Sequence, residues 1–325
     1  MAGGAVKARA ILAACMLAAH LGAWAAAPAA GAADAADPAE AAGAPQLRVH
    51  LLGTGSPLPE TRRFGPSILV EAGGQKFLFD AGRGPMQRLH TLGIPFSEVD
   101  KLFITHLHSD HTIGIPDLYL TGWLRGRKTP LHVWGPAGTR GMMEHMAKAF
   151  DYDIKIRLEQ NPGSQVEAKD VGAGVVYDKD GVRITAFEVD HGPVHPAFGY
   201  RIDYKGRSVV LSGDTRYSPA LVQQAKGVDL LVHEVAAGSE QLMRSSPVVR
   251  NVVGIHTEPE EAGKVFTQAA PRLAVYSHIV LFGVTEAELE RRTRATYAGP
   301  LTIGEDLMTF DVGPQIKVTR TQAKE

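Results

Sequence analysis

The chain has 325 residues, 44% of them apolar and 21% charged, with 34 Lys and Arg against 35 Asp and Glu. That length can bury a sizeable core without covalent staples, and a formal net charge of -1 creates no global field toward nucleic acid or an anionic membrane. The single cysteine, Cys15, lies in the N-terminal apolar stretch, which excludes disulfides, Cys-ligated zinc and a cysteine nucleophile from the remainder.

At the N-terminus Lys7 and Arg9 precede "AILAACMLAAHLGAW", and "AWAAAP" follows with small residues suited to signal peptidase. The pattern predicts a cleaved signal peptide over residues 1–26 and hence a periplasmic or secreted protein. "LAAC" also resembles a lipoprotein processing box, a lesser reading because the apolar stretch before Cys15 is short. A spanning helix needs about 20 firmly apolar residues, so no integral span is expected in the mature chain. Residues 27–45, rich in Ala and Pro with few large apolar side chains, read as a disordered leader. One domain is expected over 46–325.

From Gln46 onward short apolar strands alternate with glycine turns: "LRVHLLG", "SILVEA", "KFLFDAG", a helix over Pro85–Leu92, then "KLFITH". "LHVWGPAG" leads to a helix over Thr139–Phe150, followed by "GVVYD", "VRITAFEVDH", "AFGYRIDY", "RSVVLSGD", a helix over Pro219–Gln224 and "DLLVHEV". A helix over Glu258–Gln268 with Thr257 as its N-cap comes next, then "LAVYSHI", a helix over Thr285–Ala298 and a last strand at "MTFDV". Hairpin-like pairs followed by strand-helix alternation predict an α/β domain of layered sheets covered by helices.

"ITHLHSDHTIG" places His106, His108, Asp110 and His111 within six positions. On extended backbone residues 106 and 108 point the same way, while 110 and 111 belong to the turn that follows. One segment can therefore address two points a few ångström apart, the geometry of a pair of metal ions. Imidazole and carboxylate without thiolate suit two Zn2+, with Mn2+ or Fe as replacements. Two metal shells need further ligands, and His191, Asp214 and His278 each directly follow an apolar strand-like run. Asp214 can bridge two cations, one oxygen to each. His20, His50, His90, His132 and His145 read as ordinary structural or surface residues.

On "LGTGSPLP", "RFGPS", "FLFDAGRG", "THLHSDHTIGIPDL", "GPAG", "DHGPVHPAFGYRI", "SGDT", "VHEV" and "IHTEPEEAG" followed by "YSHI", the chain from about Leu47 to Val312 resembles the metallo-β-lactamase superfamily, in its ribonuclease Z and arylsulfatase-like branch. The resemblance implies a four-layer αβ/βα sandwich with two zinc ions at the mouth between the sheets. It implies that His106, His108 and His191 hold one ion and Asp110, His111 and His278 the other, with Asp214 between them. His195, four residues after His191, competes for its place, and His191 is preferred because it directly ends a strand. Glu234 and His256 match the ribonuclease Z pair that protonates the leaving oxygen.

The expected function is an exported dinuclear zinc hydrolase of a phosphodiester or sulfate ester. Two divalent ions sharing a water lower its pKa from ~15.7 toward ~7, giving a hydroxide nucleophile that Asp110 orients. The expected substrate is a small anionic ester. Transfer RNA is not expected, because of export, the neutral net charge, and an interval of only 22 residues (192 to 213) where ribonuclease Z enzymes of the usual bacterial type carry an inserted tRNA-gripping arm. A homodimer is an open alternative. A lactonase or β-lactam hydrolase on the same metal site is the competing enzymatic reading, and a non-catalytic metal-binding protein the competing reading of another class. In "GTGSPLPETRRFGPS", Arg63 is a candidate anion contact, against the commoner reading of such a segment as a plain turn.

Overall fold

A computed structural model describes residues 47–157 and 161–322; the expected signal peptide and leader lie outside the described residues. The strands are β1 (Leu47–Gly53), β2 (Ser67–Ala72), β3 (Gln75–Phe79), β4 (Lys101–Phe103), β5 (Leu131–Gly135), β6 (Val166–Asp170), β7 (Gly174–Lys179), β8 (Val182–His191), β9 (Val194–Tyr204), β10 (Arg207–Leu211), β11 (Leu230–Gly238), β12 (Leu273–Phe282), β13 (Leu301–Ile303), β14 (Met308–Val312) and β15 (Ile316–Arg320). The helices are α1 (Pro85–Thr91), α2 (Ser109–Thr112), α3 (Ile115–Leu124), α4 (Thr139–Ala149), α5 (Asp151–Ile156), α6 (Pro219–Gln224), α7 (Glu240–Ser245), α8 (Pro247–Val253), α9 (Pro259–Ala269) and α10 (Glu286–Arg294).

The strands form two sheets, ordered β15-β14-β1-β2-β3-β4-β5-β6 and β13-β12-β11-β10-β9-β8-β7. Each has an antiparallel half and a parallel half, the parallel pairs running β3 to β6 and β10 to β13.

Period-two alternation assigns the faces. Val49, Leu51, Val70, Phe77, Phe79 and Phe103 point between the sheets and meet Phe198, Tyr200, Val209, Leu211, Val232 and Val275. Their strand neighbours Leu52, Leu69, Leu78 and Leu102 face outward under Met86 and Leu89 of α1, Ile115 and Leu118 of α3 and Met143 of α4. On the other sheet Val210, Leu231, Ala274 and Tyr276 face Leu221 of α6, Val265 and Phe266 of α9 and Leu289 of α10. The result is helix, sheet, sheet, helix: the four-layer αβ/βα sandwich. Among the described residues no helix is long and apolar enough to cross a membrane.

The structure also contains elements beyond those expected. α3 is apolar on nearly every side, and α7 and α8 have six and seven residues; both situations erase a 3.6-residue period. β15 is an edge strand with four exposed residues out of five. The N-cap of α9 is Glu258, with Pro259 next, rather than Thr257. Proline at the first helical position sets that boundary, and the Thr257 hydroxyl donates instead to the Thr215 carbonyl at 2.6 Å.

Candidate metal centre

Most of the functional side chains sit at or just beyond the carboxyl ends of strands of the two sheets, where open α/β sheets gather ligands. β4 ends just before Thr105 and His106, with His108 still extended (φ -61°, ψ 147°) and α2 turning the chain so that Asp110 and His111 face inward. β8 ends in His191, and β10 is followed by Asp214. Gly213 takes φ +61°, and a Cβ there would stand 2.3 Å from the Phe198 carbonyl oxygen. Only glycine lets β10 turn this close to β9. His278 lies inside β12, where the pairing with β11 slips between His233↔Tyr276 and Val235↔Ile279. The extra residue puts His278 at φ +43°, a left-handed conformation that re-aims its ring.

His106, His108, His191 and Asp214 each bring one ligand atom within 4.8 Å of the others, and Asp110, His111 and His278 do the same. Separations are 3.0 Å from His106 Nε2 to His108 Nδ1 and 3.3 Å from His191 Nε2 to His108 Nδ1. Asp214 Oδ2 lies 3.7 Å from His106 Nε2, 3.8 Å from His191 Nε2 and 3.3 Å from both His111 Nε2 and His278 Nε2. Asp110 Oδ2 is 3.3 Å from His278 Nε2 and 3.5 Å from His111 Nε2. Four ligands at ~2.0–2.1 Å around a tetrahedral ion stand about 3.3 Å apart, so both clusters have the spacing that a divalent cation requires. Asp214 belongs to the first set, yet its Oδ2 also lies within 3.3 Å of the His111 and His278 nitrogens of the second, where the sequence suggested one carboxylate oxygen for each.

Tautomers supply a second test of fit. His111 donates Nδ1–H to Asp80 Oδ2 at 2.7 Å, and His191 donates Nδ1–H to the Ile255 carbonyl at 2.9 Å. Each ring then presents its Nε2 lone pair to the cluster. The buried His111 Nε2 has no hydrogen-bond partner although two carboxylate oxygens lie within 3.5 Å. Acceptors facing acceptors need a cation or a proton between them, and the residues present therefore fit a pair of divalent ions.

The electrostatics are those of a site that draws positive charge, from a proton on His111 or from a cation in its place. Burial raises the Asp214 carboxyl, but His278 and His111 overcome it and hold it well below the usual range. Burial also opposes ionisation of Asp110, which the His278 hydrogen bond and the His111 charge bring to about 2. For His111, burial works against the proton, and Asp214 and Asp80 prevail, raising it well above an ordinary imidazole. His106, His108 and His191 are all lowered, chiefly by burial, which keeps them neutral as ligands must be.

Beside the clusters, His256 Nδ1 lies 3.1 Å from Glu234 Oε2, while Glu234 Oε1 accepts the Thr257 amide at 2.8 Å. The His256 ring centroid is 5.0 Å from that of His191 and 5.5 Å from that of His278. Burial lowers its pKa, but the charge and hydrogen bond of Glu234 outweigh this and raise it to about 9. This imidazole is set up to hold a proton.

His195 is exposed and outside both clusters, and His233 packs edge-on against Phe266 under α9. Arg63 is not available as an anion contact: it is buried and donates to Thr54 Oγ1, the Gly304 carbonyl and Glu286. Asp80, a residue with no role expected from the sequence, accepts from His111, the Thr105 amide and the Thr105 hydroxyl. Its signal was an acid closing an apolar strand ahead of "AGRG", the same strand-end position that marked the other ligands.

Residues 75–279 match a family described as beta-lactamase superfamily domain. Curated relatives include a protein called ribonuclease Z from Mycolicibacterium gilvum, 37% identical over 83% of this chain and 98% of the relative. Another of that name, from Mycobacterium bovis, is 37% identical over 83% and 99%. Among solved structures, human tRNase Z, short form, superposes with a TM-score of 0.62 at 22% identity, covering 82% of this chain and 99% of the other. The fold protein YhfI of Bacillus subtilis gives 0.63 at 18%, covering 81% and 98%.

Proposed function

Since the chain belongs to the metallo-β-lactamase superfamily, in the branch that includes the ribonuclease Z proteins, and is a hydrolase of that fold, we propose that it cleaves phosphodiesters with two divalent cations, zinc by the chemistry of its donors. The observation that carries this reading is the approach of Asp214 Oδ2 to within 3.8 Å of imidazole nitrogens from two adjacent candidate ligand clusters, beside the Glu234–His256 pair. His106, His108 and His191 would hold one ion, Asp110, His111 and His278 the other, and Asp214 both. Such a pair supplies a water acidic enough to ionise near neutral pH and neutralises charge developing on the attacked centre.

The chain's own groups do the rest. Asp80 and the Ile255 carbonyl fix the His111 and His191 tautomers, so the ligand lone pairs point inward before any ion arrives. Asp110, held ionised, accepts a hydrogen bond from the nucleophile and orients it. His256 gives its Nδ1–H to Glu234, which leaves Nε2 as the nitrogen able to protonate a departing alkoxide.

Curated relatives named ribonuclease Z favour a phosphodiester over a sulfate ester. They also weaken the expectation that tRNA is excluded. They match this chain over 98–99% of their own length, so a long arm absent here does not separate it from proteins of that name. Export, read from the charged, apolar and small residues of the N-terminus, remains part of the proposal, and an exported member would meet RNA or other diesters outside the cell. The test is turnover of the zinc-loaded protein on a 3′-extended tRNA, a single-stranded oligoribonucleotide, bis-p-nitrophenyl phosphate, p-nitrophenyl sulfate, a lactone and nitrocefin. Preference for the diesters is expected. Preference for the sulfate, the lactone or nitrocefin would overturn the reading, and silence on all six would favour a binding protein.

A further inference from the structure

Arg216, two residues beyond Asp214, is exposed, yet it bonds to both segments that flank the site. Its backbone amide donates to the Asp190 carbonyl at 2.6 Å, one residue before His191. Its Nε donates to the Gly254 carbonyl at 2.7 Å, two residues before His256. Gly254 directly follows α8, so the guanidinium meets the negative end of that helix at a carbonyl left without an intrahelical partner. The neighbouring Ile255 carbonyl is the one that receives His191 Nδ1–H. A Cβ on Gly192 would stand 2.7 Å from Ile255 and 3.2 Å from Arg216 Nη2, so the hairpin, the arginine and the 254–256 segment are in close contact.

The segment carrying His256 runs between α8 and α9 without belonging to a strand, and identified bonds fix its path. Thr257 is anchored to Glu234, Thr215 and Ala236 on the C-terminal side. On the N-terminal side the side-chain anchors are His191 and Arg216. We propose that Arg216 is a positioning residue for proton delivery: it clamps Gly254 so that His256 keeps its reach to the leaving oxygen. This rests on the reading of His256 as the proton donor. The clamp is solvent-exposed, so water replaces it on truncation and neither folding nor metal binding depends on it strongly, whereas proton transfer is sensitive to small displacements.

The test compares Arg216→Ala, Arg216→Lys and His256→Ala on an oligoribonucleotide, whose leaving alkoxide needs a proton, and on bis-p-nitrophenyl phosphate, whose nitrophenolate hardly does. Arg216→Ala is expected to lower kcat on the oligoribonucleotide about tenfold, with little change on the nitrophenyl ester, in KM, in metal content or in the thermal unfolding midpoint. Arg216→Lys, whose ammonium can reach the same carbonyl, should recover most of the loss. In a His256→Ala background Arg216→Ala should add almost nothing. Equal loss on both substrates, additivity with His256→Ala, or a salt-dependent rise in KM marking direct substrate contact would overturn the inference. If His256→Ala itself slows both substrates alike, the relay reading falls and the role of Arg216 with it. A selective His256→Ala beside an unselective Arg216→Ala removes only the Arg216 inference.

Discussion

Asp214 and Glu234 are both buried carboxylates, and what each faces separates their roles. Asp214 Oδ2 has four imidazole nitrogens within 3.8 Å, three of them lone-pair donors to the cluster by tautomer or by lowered basicity. Glu234 has an imidazole on one oxygen and backbone amides on the other. Glu234→Gln keeps the amide bonds' acceptor and removes the charge that supports the proton on His256. It is expected to slow an alkyl or ribose leaving group by about 10²-fold or more while slowing a nitrophenolate far less, read as the ratio of kcat/KM on the two. His195→Ala, at an exposed ring outside both clusters, should leave turnover and metal content nearly intact. Equal slowing of both substrates by Glu234→Gln would take the pair out of the chemistry.

At the scale of elements, the loop after β1 and the helix α1 are held to the β13–β14 turn by one acid. Asp306 accepts from the Thr54 amide, the Thr54 hydroxyl, the Phe64 amide, and Arg88 Nε and Nη2. The Thr54 carbonyl in turn receives the amide of Ile279, next to His278. Asp306→Ala takes the carboxylate from the buried Arg88 guanidinium, leaving it the Thr61 carbonyl, and removes the acceptor of the Thr54 and Phe64 amides; it is expected to cost about 3 kcal/mol, seen as a lower midpoint in denaturant with a similar slope. Asp306→Asn, whose one oxygen can still accept from Thr54 while its amide nitrogen faces the Phe64 and Arg88 donors, should recover only part of that loss. A midpoint unchanged by Asp306→Ala would mean that water replaces the hub. Neither this hub nor the clamp at Arg216 was legible in the sequence, because each joins residues 38 to 252 positions apart and no local pattern records such a bond. The same blindness made Arg63 look like a free cation when it is a buried brace.

For the whole molecule, the layers were readable because the central strands alternate between two apolar environments: Val49 and Leu51 inward, Leu52 outward, Phe77 and Phe79 inward, Leu78 outward. Edges and short helices were not, since β15 has little to bury and α7 and α8 are too short for a period to register. That these histidines and carboxylates gather in the fold was readable for a chemical reason. A two-ion site needs histidines and carboxylates at strand ends, and this sequence has them where an apolar run stops. What the sequence left open was how the two candidate sets meet, and the fold brings the ends of β4, β8 and β10 and the bulge of β12 together so that Asp214 Oδ2 stands within 3.8 Å of imidazole nitrogens from both. The most direct test of that account is the metal content of the purified protein and of Asp214→Ala after equilibration with zinc. Two ions per chain in the first, and a loss affecting both sites in the second, are the expected result. One ion or none in the parent protein, or an Asp214→Ala variant that still holds two, would contradict it.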